Sequence, residues 1–109
     1  MKYEVVISAQ AEDDLREIFD YIAYELQAPL DAVNQLDRLE KNIFSLEFMP
    51  NRFRAFEREP WLSRGLRILP VDNFLVLYIL DEISLTVTII RVMYGARAVE
   101  NNLTLNSKI

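Results

Sequence analysis

The chain has 109 residues, 51% of them hydrophobic and 27% charged, which fits one globular domain over 1–109 and excludes a disordered chain or two ordinary cores. It contains no cysteine and no histidine, so a disulfide framework, a thiolate nucleophile and the most common metal ligand and general base are all excluded. The net charge of −5 is split, with −7 over residues 1–50 and +2 over residues 51–109.

No cofactor or metal is expected, and any chemistry must run on Arg, Lys, Tyr, Asp, Glu, Ser or Thr. The N-terminus shows no apolar leader or small-residue cleavage site. The longest apolar run, Phe74 to Leu80, is far short of a membrane span. The expected location is the cytoplasm, with no membrane partner.

Residues 3–7 have strand composition. Ser8 is the expected N-cap of a first helix, with the acids of Ala9-Gln10-Ala11-Glu12-Asp13-Asp14 placed in its first turn, where the helix dipole favours them. Ala11, Leu15, Ile18, Phe19, Ile22 and Leu26 recur at spacings of three and four, one apolar face ending near Gln27. Pro29 suits the first turn of a second helix. There Val33, Leu36, Leu39, Ile43 and Leu46 repeat the pattern up to Met49-Pro50, giving an antiparallel helical hairpin.

No period is visible from Asn51 to Ser63, the longest expected loop. Its aromatics Phe53, Phe56 and Trp61, with Phe48 just upstream, are expected to fold back onto the helices; an exposed partner groove is the alternative. Between residues 51 and 68 lie Arg52, Arg54, Arg58, Arg64 and Arg67 against only Glu57 and Glu59. Guanidinium forks suit bidentate contacts. Arg52, Arg54, Arg58 and Arg64 are therefore candidate contacts to a partner or a phosphate, against the plainer reading of a solvated loop with local ion pairs.

Three strands complete the chain: Leu66 to Val71, Phe74 to Leu80 and Leu85 to Met93. Asp72-Asn73 and Asp81-Glu82 mark the turns between them. The middle strand is apolar at nearly every position and should be covered on both faces. Gly95 stops the third, and Ala98 to Leu103 form a short helix or turn. The order β-α-α-β-β-β predicts an α+β fold, a helical hairpin packed on a small antiparallel sheet. Simple alternation puts Arg91 on the face of Val87 and Ile89, with Ile90, Val92 and Tyr94 facing the other way.

Several pieces together resemble the RelE/ParE toxin superfamily of type II toxin–antitoxin systems, closer to its ParE-like branch. They are Tyr3-x-Val5-x-Ile7-Ser8, then Ala11-x-x-Asp14-Leu15-x-x-Ile18-x-x-Tyr21-Ile22, Leu46-x-x-x-Pro50, Arg64-Gly65-Leu66-Arg67, Asn73 to Ile79, and Ile90-Arg91-Val92-Met93-Tyr94-Gly95-Ala96-Arg97. The resemblance covers essentially the whole chain. It implies a growth-arresting, plasmid-stabilising toxin held inactive in a hetero-oligomer by a cognate antitoxin. ParE-like relatives inhibit DNA gyrase; RelE-like relatives act at the ribosome as mRNA interferases, metal-independent endoribonucleases.

For the nuclease branch the resemblance implies a reduced catalytic set of Arg67, Arg91, Tyr94 and Arg97. Against it, the strand position where RNA-cleaving relatives carry an Arg is Leu75 here. Tyr94 or an arginine would have to be the general acid despite a high ordinary pKa. The acidic net charge opposes counterion-driven binding to RNA. The Asp that commonly follows the final Arg is Ala98. Arg91 has a structural alternative, at the solvent edge or paired with an acid such as Asp14, and Tyr94 one as a packed aromatic. Gyrase inhibition is the favoured expectation; mRNA cleavage is the alternative, and a non-toxic homologue serving as a binding module is a third.

Overall fold

The computed structural model describes residues 2–95 of the chain. The elements are β1 (Glu4–Ile7), α1 (Ala9–Asp20), α2 (Pro29–Phe44), β2 (Arg54–Ala55), β3 (Leu66–Val71), β4 (Phe74–Asp81) and β5 (Thr86–Tyr94). The five strands form one sheet in the order β1-β5-β4-β3-β2. β1 pairs parallel with β5, and the other neighbours are antiparallel. The expected α+β hairpin-on-sheet arrangement is what forms. The expected short helix or turn at 98–103 lies outside the described residues.

Ser8 caps α1 as expected, its hydroxyl accepting from the Ala11 N–H at 3.1 Å. The α-helix ends sooner than its apolar period predicts. After Asp20 it widens into a π-turn over Tyr21–Glu25, and Gln27 takes a positive φ of 53° before Pro29 starts α2. A wide turn rotates the side chains beyond it, so Leu26 comes to the surface instead of continuing the buried stripe, with Tyr21 and Tyr24 exposed beside it. α2 buries Ala32, Leu39 and Ile43. Past Phe44 it tightens to a 3₁₀ turn, Ser45–Glu47, and the chain leaves in extended form at Phe48.

Both faces of β4 are covered, as its unbroken apolar composition predicts. On the helix side Val76, Tyr78 and Leu80 join Leu15, Leu39, Ile43, Val87 and Ile89 in the main core. On the other side Leu77 packs with Leu66, Ile68 and Met93, and here the cover comes from Phe56 and Trp61. The aromatic segment therefore divides. Phe53 packs on the helix-side core, Phe56 and Trp61 seal the opposite sheet face, and Phe48 is exposed. The reason is β2, a two-residue edge strand inside the expected loop, pairing Arg54 with Ile68 and Ala55 with Arg67. It fixes the chain at the sheet edge, so the residues after it cross to the far side.

A register shift between Leu77 and Tyr78 overturns the simple alternation along β5. Leu77 lies opposite Arg91 while Tyr78 lies opposite Ile89, leaving Ile90 as the extra residue. Such a bulge reverses the facing of everything beyond it. Val92 thereby joins Val87 and Ile89 in the main core, and Ile90 and Met93 fall on the other face. Arg91 lies beside the bulge, opposite Leu77, and its side chain runs to Asp14 of α1 at the sheet edge.

Tyr78 is fully buried at the centre of the sheet, and its hydroxyl donates to the Pro50 carbonyl at 2.5 Å. Burial pushes its pKa up to about 12, although Arg67 and Arg52 nearby pull the other way. The native state therefore keeps this proton through a range where the unfolded chain has released its own. Stability attributable to Tyr78 is intact below about pH 10 and is lost as pH rises from there towards 12. Urea denaturation of the wild type between pH 8 and pH 11.5 should show this alkaline decline, and Tyr78→Phe should flatten it while costing about 1 kcal/mol at neutral pH.

Candidate functional site

β1 accompanies β5 only as far as Ile89, which faces Ile7. Beyond that point the edge of β5 has no strand beside it, and α1 takes over. The Ser8 N–H donates to Ile89 O at 3.0 Å and the Ser8 hydroxyl to Ile90 O at 3.3 Å. Two turns along α1, Asp14 completes the series. Its Oδ2 accepts from the Val92 N–H at 2.9 Å and from Arg91 Nε at 2.8 Å, while Oδ1 accepts from Arg91 Nη2 at 3.2 Å. Asp14 is only 6% exposed. Three donors take the place of the water that burial removes from this carboxylate.

This clamp forms the inner wall of a cleft of about 720 Å³. Ile18 and Tyr21 close one side, Leu26 the end, and Phe74, Val92 and Tyr94 the sheet side. Tyr94 is largely exposed, its ring packed edge-on against Phe74 at 5.5 Å.

The remaining candidate arginines serve the irregular segment before and around β2. Arg67 Nη1 donates to Phe53 O at 2.6 Å and Asn51 O at 3.3 Å. Arg52 donates to Phe48 O, Met49 O and Ser45 Oγ, at 2.5, 3.2 and 3.0 Å, and lies over the Phe53 ring. Arg64 stacks over Trp61, 5.2 Å from its centroid. Arg54 and Arg58 are exposed.

The structure thus brings Arg91 and Tyr94 to one cleft and keeps Arg67 away from it. Arg67 faces Tyr78, four residues along β4 from the Phe74 that faces Tyr94. That is about 13 Å along the strand, with two strand spacings of about 5 Å each across the sheet. Arg97 lies outside the described residues. Among the described residues no cluster of three or more His, Cys, Asp or Glu could hold a metal ion. No helix among them is long and apolar enough to cross a membrane.

Sequence reasoning placed Asp14 with the first-turn acids, yet only Glu12 belongs to that turn. Its pairing with Arg91, one of the alternatives read from the sequence, agrees with its position within the apolar stripe Ala11, Leu15, Ile18. An acid on an inward face has to meet a cation or a backbone donor. The apolar lining at Tyr21 and Leu26 was hidden by the π-turn.

Comparison with known proteins agrees with this architecture. Residues 5–99 match the family described as the ParE toxin of the type II toxin–antitoxin system parDE, and the chain belongs to that family. It is a toxin of a type II toxin–antitoxin system within the RelE/ParE superfamily.

Among solved structures, the chromosomal ParDE system of P. aeruginosa superposes with a TM-score of 0.72 at 18% identity, over 87% of this chain and 98% of that one. The RelBE2 toxin–antitoxin complex of Mycobacterium tuberculosis gives 0.66 at 23% identity, over 86% and 99%. A mutant E. coli toxin RelE in the free state gives 0.65 at 15%, over 100% and 99%. At these identities the likeness is one of fold. No curated protein matches this sequence significantly.

Because the Asp14 carboxylate serves two partners, removing it strands both the guanidinium and the Val92 N–H. Asp14→Ala should cost about 2–4 kcal/mol. Arg91→Ala should cost less, since the backbone bond to Asp14 survives. The Asp14→Ala/Arg91→Ala double variant should lose less than the sum of the two, a coupling of about 1 kcal/mol or more read from a double-mutant cycle in urea.

Proposed function

We propose that the free toxin arrests growth by gripping and inhibiting DNA gyrase in the cytoplasm, and that a cognate antitoxin silences it in a hetero-oligomer. The observation that carries this reading is how the candidate catalytic groups are occupied. Cleavage of RNA by its 2′-hydroxyl needs a base, an acid and cations converging on one phosphate. Arg67 spends its donors on backbone carbonyls, Arg91 is bound to Asp14, and Tyr94 stands apart from Arg67. Leu75, where RNA-cleaving relatives have an arginine, packs with the apolar cluster on the face sealed by Trp61. A protein grip needs none of this convergence. The acidic net charge of −5 also disfavours binding to the ribosome and mRNA. An antitoxin partner is supported by the family and by the ParDE and RelBE2 systems among the structural neighbours.

Brief induction in a bacterium lacking the antitoxin, with pulse labelling of DNA and protein synthesis in parallel, tests the target. DNA synthesis should fail first, with signs of DNA damage, and Tyr94→Phe should remain toxic. Collapse of translation first, relieved by Tyr94→Phe, would instead establish the mRNA interferase. Arg91→Ala is the poorer probe, since it breaks the clamp as well as any catalytic contact.

A further inference from the structure

The second helix is apolar on two sides. Its inward face holds Ala32, Leu39 and Ile43, all buried. An α-helix turns by about 100° per residue, so Leu30, Val33, Asp37, Lys41 and Phe44 fall within one arc of about 80° on the outward side. Phe48 follows just past the helix end. Leu30, Val33, Phe44 and Phe48 expose 78%, 54%, 44% and 57% of their surface. Between these two apolar pairs stand Asp37 and Lys41, both exposed and bridged at 3.0 Å. Exposed hydrophobic residues scattered singly are ordinary, but four along one line form a surface that calls for a partner. None of the six lines the 720 Å³ cleft.

From this we infer that the outward face of α2 is a self-association surface. Two copies of the free chain pair through it about a two-fold axis, with their α2 helices antiparallel. The order of the stripe selects this occupant. Read from either end it runs through two apolar residues, two opposite charges and two apolar residues. An antiparallel copy centred between Asp37 and Lys41 sets Val33 against the second copy's Phe44 and Leu30 towards its Phe48. Asp37 then meets the second copy's Lys41, and every contact occurs twice, as a two-fold interface requires. A parallel copy would put Asp37 on Asp37 and Lys41 on Lys41. A nucleic acid has no use for the apolar pairs, and a partner without two-fold symmetry gives no reason for a stripe that matches its own reverse. Spacings of three and four suit close helix packing at about 20°. The helix has 16 residues and is thus about 24 Å long, so the contact is at the small end of specific interfaces and the dimer dissociates readily. The inference holds whatever the free toxin acts on.

Sedimentation equilibrium of the full chain from roughly 5 to 500 μM reads the association. The average mass should climb from 12.8 kDa towards twice that value. Asp37→Lys alone and Lys41→Asp alone each set like charges across the seam and should weaken the dimer about tenfold or more. The Asp37→Lys/Lys41→Asp double variant restores the alternation and should recover it, while Phe44→Ser should weaken it in either charge background. All these positions are exposed, and thermal melting checks that each variant folds. The chain has no cysteine, so introduced thiols report the register. When Val33→Cys and Phe44→Cys chains are mixed, the mixed disulfide should form ahead of either symmetric one. A chain that stays monomeric throughout, a dimer indifferent to the single charge reversals, or one that the double variant fails to recover would overturn the proposal. So would faster formation of a symmetric disulfide.

Discussion

The architecture depends on one carboxylate placed where a strand is missing. β1 is four residues long and β5 nine, so the last part of β5 emerges with bare backbone groups on one side. Unpaired N–H and C=O groups away from water are expensive. The chain meets the need locally, by turning from β1 into α1 through Ser8 and laying the first turns of that helix along the exposed edge. Ser8 satisfies the nearer carbonyls and Asp14 the Val92 N–H. Asp14 is charged, and it therefore requires a cation, which Arg91 supplies. The ion pair by itself would do little more than balance its desolvation. Its value lies in joining residues 77 positions apart and holding α1 at a fixed offset from the sheet. That offset opens the cleft between Ile18 and Phe74.

A second constraint operates at the opposite edge. Residues 48–56 run with little regular structure, so few of their carbonyls have partners in a ladder. Arg52, Arg67 and the Tyr78 hydroxyl donate to Phe48, Met49, Pro50, Asn51 and Phe53 in turn. Two of the arginines that look like a phosphate-binding set are thus structural donors. This also accounts for Arg over Lys here, since a planar fork reaches two carbonyls at once where an ammonium on a flexible stem holds them less well. Segments without periodicity are where charged side chains are most easily misread as functional.

The parts of the fold legible in the sequence were those governed by period. Three-and-four spacing showed both helices, and composition with turn residues at Asp72-Asn73 and Asp81-Glu82 showed the three long strands. Features that break a period were not legible. The π-turn at Tyr21–Glu25 leaves hydrophobic spacing intact while rotating the side chains beyond it. The bulge at Ile90 adds one residue without altering composition, and it moved Val92 and Met93 to faces opposite to those expected. β2 is too short to have a pattern of its own, yet it decides that Phe56 and Trp61 cross to the far side of the sheet. As for the site, the pairing of Arg91 with Asp14 was readable as an alternative because an acid sat on an inward stripe. The cleft was not, because its lining depends on the π-turn.

These constraints divide the molecule's surfaces by what each is able to do. The sheet face under Trp61 is apolar and closed, so reaching a phosphate there would require displacing a packed indole, and Arg67, on the opposite face, would have to be freed from two carbonyls. Both steps cost free energy that binding would have to supply before any chemistry began. The hairpin face is already open, with exposed aromatics and exposed carboxylates, and contact there requires no internal rearrangement. On a scaffold this small, a surface that can be gripped as it stands favours recognition of protein over cleavage of RNA.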